Sequence, residues 1–378
     1  MKHFLALLWV FLGVSGTTAG KLWAHAEKIY YLKGQVGKRE LVVRMLCYDE
    51  TPTRYITYFF GDDKQDRSLA GTFADPYWTF LPKEEKGSET PSQIRLRITE
   101  SIPDSCWKGS WTDTAGKSQD LVLTHLPADS LAAAFADLPF LKETDPYDCY
   151  KLAHLQFTLL RSEQKTKELA CDWYREAASG ITSFRLRRLD KKGQTATINE
   201  ALRALHLSLA QAWFSHLPGL RPAGVEVRLP YLTGELASIR VVAKSRTAAG
   251  DTVAAKQQVT LALESGKQVD LEQLLCFEQG AAKPRIEDMF QVYKYRKAVF
   301  GPKLFSLLSE LYPGRLTGDS CGTGKAETWA LPAWSLTTAG IAFGTPQGDP
   351  CNALQWAVIP YEKLRPYLEK TYHLAPVR

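Results

Sequence analysis

Between Ile29 and His125 the chain passes through eight short apolar runs, at 29–32, 41–48, 54–60, 67–72, 76–81, 93–99, 106–112 and 119–125. Turn-forming residues separate them: Gly61-Asp62-Asp63, Lys86-Gly87-Ser88 and Thr114-Ala115-Gly116-Lys117. Ile94, Leu96 and Ile98 alternate with Arg95, Arg97 and Thr99, the period of a strand with one buried face. The run Tyr55–Phe60 is rich in aromatic and β-branched residues, which suit a pleated surface. Many short strands at this spacing predict an antiparallel meander that closes into a barrel or a sandwich. Residues 27–127 are therefore expected to form an all-β domain. Trp78, Trp107 and Trp111 have the chemistry to line a ligand site, but core or edge packing is the stronger expectation in a small β domain.

The N-terminus carries an export pattern. Lys2 and His3 precede an apolar core from Phe4 to Val14, and small residues lead to Ala24-His25-Ala26, a site for cleavage before Glu27. Cleavage after Gly20 is the alternative. Residues 1–26 are read as a signal peptide, and no later stretch approaches the ~18 unbroken apolar residues of a membrane span. Seven cysteines fit an oxidising address: Cys47, Cys106, Cys149, Cys171, Cys276, Cys321 and Cys351. Pairs within one segment of the chain would be Cys47–Cys106, Cys149–Cys171 and Cys321–Cys351, leaving Cys276 unpaired. No Cys-x-x-Cys occurs, which speaks against a redox motif or a thiolate zinc site.

Residues 128–145 are Ala-rich, interrupted by Pro139, and read as a linker. Beyond them the pattern mixes helices and strands in clusters, an α+β domain over 146–378. Strands are expected at Leu152–Arg161, Ile181–Leu189, Leu236–Ala243 and Gln258–Leu263. Thr197-Ile-Asn-Glu200 has the form of a capping box, and Ile198, Leu202, Leu205, Leu209 and Trp213 recur at helical spacing until Pro218-Gly219. His206 and His216 in that stretch are assigned to packing or surface roles, since neither has a second ligand at helical spacing. Asp270 is placed to cap a short helix, and a longer helical pattern runs from Ile286 to about Leu311. The chain closes with an apolar hairpin around Gly340 and a short helix begun by Pro360, in which Leu364 and Leu368 share a face.

The capped helix at Ile198-Asn199, the following strand pair, the stretch Val259–Leu275, the Gly340 hairpin and Ile359-Pro-Tyr-Glu-Lys-Leu364 together resemble the C-terminal domain of the RsiV family. The likeness covers roughly residues 146–370. Such domains are extracytoplasmic and bacterial, occur beside PdaC-type polysaccharide deacetylases, and in the RsiV anti-sigma factor recognise lysozyme. The resemblance implies a periplasmic or secreted binding role, with lysozyme, another cell-wall-active protein or a glycan as partner. Gly344–Cys351 replaces the Tyr-rich stretch of that family, so no binding residue is carried over.

The sequence lacks the familiar linear signatures of catalysis. Gly318-Asp-Ser-Cys-Gly322 approaches a serine-protease nucleophile loop, but Cys321 replaces the glycine of the oxyanion turn and no His stands in the matching context. A loop anchored by a disulfide is the favoured reading. Gly322-Thr-Gly-Lys325 is not a phosphate loop, because Asp319 and Ala326 stand where Gly and Ser/Thr are required. No His-Glu-x-x-His occurs, and the seven histidines are scattered. Forty-seven basic residues against 41 acidic ones, a net charge of +6, form no dense block that would point to nucleic acid. The expectation is a non-enzymatic binding protein of the cell envelope, without metal or cofactor. The alternative is a cell-wall hydrolase or deacetylase whose site is assembled without a linear motif, or an accessory protein of such an enzyme.

Overall fold

The computed structural model describes residues 28–48, 54–74, 77–82, 93–97, 107–113, 115–127, 145–188, 195–215, 220–247, 252–278, 284–314, 316, 323–344 and 357–374. The expected signal peptide, the expected linker up to residue 144, His216, Cys106, Cys321 and Cys351 lie outside them. The molecule is mostly β, with a large curled antiparallel sheet and few helices.

Eight strands form the meander anticipated from the spacing: β1 Lys28–Val36, β2 Arg39–Cys47, β3 Arg54–Phe60, β4 Arg67–Ala74, β5 Tyr77–Pro82, β6 Gln93–Arg97, β7 Trp107–Thr112 and β8 Ser118–His125. Each pairs antiparallel with the next, and β8 returns to β1 through Leu32↔His125, Lys33↔Thr124 and Gly34↔Leu123. The outcome is a closed barrel rather than a sandwich, which leaves no sheet edge to protect.

Its interior is a packed core. Leu32, Leu41, Val43, Met45, Ile56, Tyr58, Phe60, Phe80, Ile94, Trp111 and Leu123 are all buried inside it. Trp78 and Trp111 belong to this core and Trp107 packs against it, as the packing reading expects. Trp111 meets Tyr58 and Phe60 edge to face, with ring centroids 5.4 Å apart in both pairs.

The remaining chain is α+β. Helix α1 (Pro146–Ala153) leads into a three-stranded sheet of β9 (Phe157–Gln164), β10 (Leu169–Glu176) and β11 (Thr182–Arg188), in the order β11-β10-β9. Helix α2 (Ala196–Phe214) follows, then the sheet β12 (Leu220–Leu232), β13 (Leu236–Thr247) and β14 (Thr252–Ala262). Helix α3 (Met289–Tyr295) continues through a π turn (Arg296–Phe300) into α4 (Gly301–Leu311). A last small sheet of β15 (Ala333–Leu336), β16 (Gly340–Gly344) and β17 (Ala357–Pro360), with α5 (Tyr361–Leu364), closes the fold.

Two cores serve this half. The first gathers Cys149, Cys171, Trp173, Phe184, Ile198, Leu202, Leu205, Ile239, Val241 and Leu261. The second gathers Leu271, Tyr295, Phe300, Leu304, Trp329, Ile341, Ile359 and Leu364. Val42 and Phe59 of the barrel also belong to the first core, so the outside of the barrel is sealed against the second half.

Several local expectations shift. The helical stripe of Ile198, Leu202, Leu205 and Leu209 is buried as predicted, but α2 begins at Ala196 and Thr197 does not cap it. Asn199 does different work: its side-chain amide exchanges hydrogen bonds with the backbone N–H and C=O of Leu186, at 2.8 and 2.7 Å, and so caps the outer edge of β11. Leu152 ends in α1, because the strand predicted from that residue starts only at Phe157. Strands β10 and β12 carry no period clear enough to predict. Pro360 ends β17, and the helix starts one residue later.

The expected Cys149–Cys171 disulfide is not formed. Both are free buried thiols, and no two described cysteines approach closely enough to bond. Each sits in the first core as a small apolar residue, one from α1 and one from β10. Burial pushes both thiols up to about 11, which suppresses the thiolate that exchange chemistry requires. Cys276 is a third buried free thiol. The remaining candidate bridges each involve Cys106, Cys321 or Cys351, outside the described residues.

Closure of the barrel depends on Gly34. A Cβ there would stand 2.3 Å from the carbonyl oxygen of Val122 and 2.8 Å from Leu123. Backbone cannot yield as a flexible side chain can, so Gly34→Val should cost about 3 kcal/mol. Urea unfolding checks this, and a variant as stable as the parent would show that β1 and β8 do not close on each other this tightly.

Candidate functional site

Two constellations outside the barrel have the chemistry of a site. One is buried between the barrel and α1; the other is exposed on α3.

The buried one is built from Asp66, Asp145, Asp148, Lys151, Arg44, Tyr31 and Tyr147. Strand β2 explains why charge can be held here. Its inward residues Leu41, Val43 and Met45 fill the barrel, while Val42, Arg44 and Leu46 point outward and are buried too. Asp145 is the N-cap of α1: its Oδ1 accepts from the Tyr147 amide at 3.0 Å, and its Oδ2 accepts from the Tyr31 hydroxyl at 2.8 Å. Arg44 reaches Asp145 at 3.4 Å and Asp148 at 3.6 Å and lies over the Tyr147 ring. Lys151, with no exposed surface, reaches Asp66 at 2.7 Å and Asp148 at 3.5 Å. Tyr147 donates to the same Asp66 oxygen, and Ser215 donates to the other at 3.1 Å. The Asp66 amide also donates to the Phe214 carbonyl at 3.0 Å. The loop after β3, helix α1 and the end of α2 therefore meet at one carboxylate.

Three carboxylates face two cations in this cluster. Burial, opposed by Lys151 and Arg44, holds the Asp148 carboxyl above its usual range. Burial and the Asp66 contact push the Tyr147 hydroxyl well up, so it stays a donor. A lysine, a tyrosine and a raised carboxyl are the parts of a general acid–base site. Their disposition is that of a clamp instead: Lys151 and Tyr147 are sealed from solvent and already spent on Asp66. Among the described residues no group of His, Cys, Asp and Glu is arranged to hold a metal ion. His206, buried and bonded to the Ile181 carbonyl at 3.2 Å, is held neutral by burial, its pKa depressed to about 4. It is a packing residue, as expected.

The exposed constellation lies on α3. Asp288 caps the helix, accepting from the Phe290 and Gln291 amides at 3.0 and 3.1 Å. Val292 and Tyr295 turn inward, and Arg296 pairs with the buried Glu272 at 2.5 Å. The opposite face then presents Met289, Phe290 and Tyr293, which are 76%, 64% and 42% exposed. Lys294 lies over the Phe290 ring at 4.3 Å and Lys297 over the Tyr293 ring at 4.7 Å. Helical spacing puts these five residues on one side of the helix, and no acidic residue shares it. An apolar surface edged by ammonium groups suits a partner that is apolar at its centre and acidic at its margin.

Of the disulfide candidates among the described residues, Cys47, Cys149 and Cys171, none supplies a group to either constellation. Sequence reasoning also missed the α3 face. Its signal is present, since Met289, Phe290 and Tyr293 lie off the Val292–Tyr295 stripe, but exposure is settled only by what the rest of the chain leaves uncovered.

Two outcomes follow for the clamp. Lys151→Ala leaves Asp66 and Tyr147 facing a buried void and should cost about 3–5 kcal/mol, the range for breaking a buried ion pair; a loss below 1 kcal/mol would mean the cluster is solvated. The Asp148 carboxyl binds its proton more tightly folded than unfolded, so its contribution to stability is present below its ordinary pKa and is lost as pH rises through the raised one. Asp148→Asn should accordingly remove part of the decline in stability with rising pH across that window. Urea titrations at stepped pH would expose the error if both proteins gave the same profile.

The chain matches no known family model, and no curated protein matches it.

Proposed function

We propose that the protein is an exported, non-enzymatic binding protein of the bacterial cell envelope, which engages its partner through the α3 face of its second half. The observation that carries the reading is the exposed Met289, Phe290 and Tyr293 surface flanked by Lys294 and Lys297. Side chains of these types concentrate binding energy, because they bury much area at little cost in rotamer freedom. The export address rests on the pattern of residues 1–26. The class of partner, a cell-wall-active protein such as lysozyme or a wall glycan, rests on the RsiV-like order of elements over residues 146–370. The two lysines favour a partner that is acidic where it touches, which suits a carboxylate-bearing wall glycan or an acidic protein better than lysozyme, itself a basic protein.

The test uses the mature chain, captured on immobilised lysozyme and on purified peptidoglycan at low and moderate salt. Phe290→Ala with Tyr293→Ala should weaken capture about tenfold or more while leaving the unfolding midpoint unchanged, since neither ring is part of a core. On peptidoglycan, Lys294→Glu with Lys297→Glu should weaken capture further at low salt than at high salt. Absence of binding to either material, or binding indifferent to these four residues, would sink the reading.

A further inference from the structure

The barrel has two unlike ends. At the end where β3 passes to β4, Arg39 and Arg67 are paired with Asp62 and Asp63. At the other end, strand register aligns Tyr30, Arg54, Phe73, Trp78, Trp107 and His125 with the side chains that fill the interior. Met45, Ile56, Phe80 and Leu123 are buried beneath them, so this opening is shallow and has a solid floor. Its rim is aromatic. Phe73 is 48% exposed and leans on Trp78, with ring centroids 5.4 Å apart. Tyr30 stands 5.7 Å from Trp107, edge to face, and 6.1 Å from His125. Apart from Trp78, each of these six side chains keeps accessible surface.

Arg54 crosses this opening. The central carbon of its guanidinium lies 4.4 Å from the Trp78 ring centroid and 5.8 Å from that of Trp107. In a closed ring of eight strands β7 stands opposite β3, so a side chain rooted on β3 that comes this near Trp107 spans the mouth. Contact with ring faces orients a guanidinium but occupies none of its five N–H donors. Arg39, Arg44 and Arg67 of the same barrel each meet an aspartate. Arg54 meets no carboxylate or other hydrogen-bond acceptor among the described residues. Among those residues, no Asp, Glu, Asn, Gln, Ser or Thr shares the inward side at this end. A sugar would find few side chains there to exchange hydroxyl hydrogen bonds with. An anion with a flat apolar body would find a donor fork set between rings.

We propose that this end of the barrel binds an aromatic carboxylate, its ring laid against Phe73 and Trp107 and its carboxylate received by Arg54. Barrel mouths are recurrent places for small ligands. A carboxylate meets a guanidinium through two parallel N–H···O bonds, and ring-on-ring contact adds apolar burial with defined geometry. The packed floor excludes a long acyl chain, which needs a hollow interior. Two sources offer the same chemistry: a free aromatic acid, and an aromatic residue that ends a peptide chain. The site is separate from the α3 face, so it stands or falls independently of the partner proposed above.

The experiment is a calorimetric titration of the full mature chain with 2-naphthoate, beside 2-naphthalenemethanol, which has the ring without the charge, and acetate, which has the charge without the ring. Naphthoate should bind saturably and raise the unfolding midpoint, the alcohol should bind about tenfold more weakly, and acetate should give no saturable response. Arg54→Met keeps an apolar stem over Trp78; it should weaken naphthoate about tenfold and leave the alcohol unchanged, which also shows that the variant is folded. Phe73→Ala, at a half-exposed ring, should weaken both several-fold. A parallel arm compares N-acetyltryptophan with its amide. Acid-dependent binding tighter than that of naphthoate supports a peptide end as the source, and weaker binding supports a free aromatic acid. No saturable naphthoate response, equal affinity for acid and alcohol, or naphthoate binding that Arg54→Met does not alter overturns the proposal.

Discussion

The contact between Lys151 and Asp66 holds the two halves of this molecule in one arrangement. An ammonium group with no exposed surface is tolerable only where carboxylates meet it at hydrogen-bonding distance, and Asp66 does so at 2.7 Å. Because Asp66 stands on the loop after β3, Lys151 on α1 and Ser215 at the end of α2, satisfying that one charge fixes the outside of the barrel against two helices. Apolar contacts of Val42 and Phe59 would hold the halves together over a range of angles. The ionic cluster permits one, since a small rotation would strand buried charges.

This seam also explains an unusual strand. In a barrel with a wet exterior, β2 would alternate apolar and polar residues. Instead Leu41-Val-Val-Arg-Met-Leu-Cys47 is apolar throughout except for Arg44, and every one of those side chains is buried. A nearly unbroken apolar run is the mark of a strand covered on both faces, and the lone arginine marks where the cover brings carboxylates. That much is legible in the sequence. Which carboxylates they are is not, because Asp145 and Asp148 lie more than a hundred positions from Arg44 and nothing local links them.

The surface has a similar logic. Strand β9 is an edge, and it exposes Leu159 and Leu160, yet it carries the marks of an edge kept unpaired. Its register with β10 shifts beside those leucines, and Arg161, Glu163 and Lys165 form ion pairs along it. The α3 face has no such protection. Its apolar side chains are contiguous, exposed and bordered by charge of one sign, which suits it to a partner better than the sheet edge.

Local patterns determined a good deal. The spacing of short apolar runs fixed a meander over residues 28–125, the period of Ile198 to Leu209 identified the buried stripe of α2, and the helical pattern from Ile286 to Leu311 marked α3 and α4. These are short-range consequences of backbone period and turn chemistry, so they can be read from neighbours in the chain. Tertiary structure decided the rest. Whether the meander became a barrel turned on the meeting of β1 with β8 at Gly34, some ninety residues apart. Whether Cys149 and Cys171 bonded turned on the distance between a helix and a strand, and they remained thiols. Whether Arg54 would lie near Trp107, and whether Met289, Phe290 and Tyr293 would stay uncovered, depended on register and on where other elements came to rest. Burial, charge pairing and exposure are properties of the packed chain, and no window of sequence contains them.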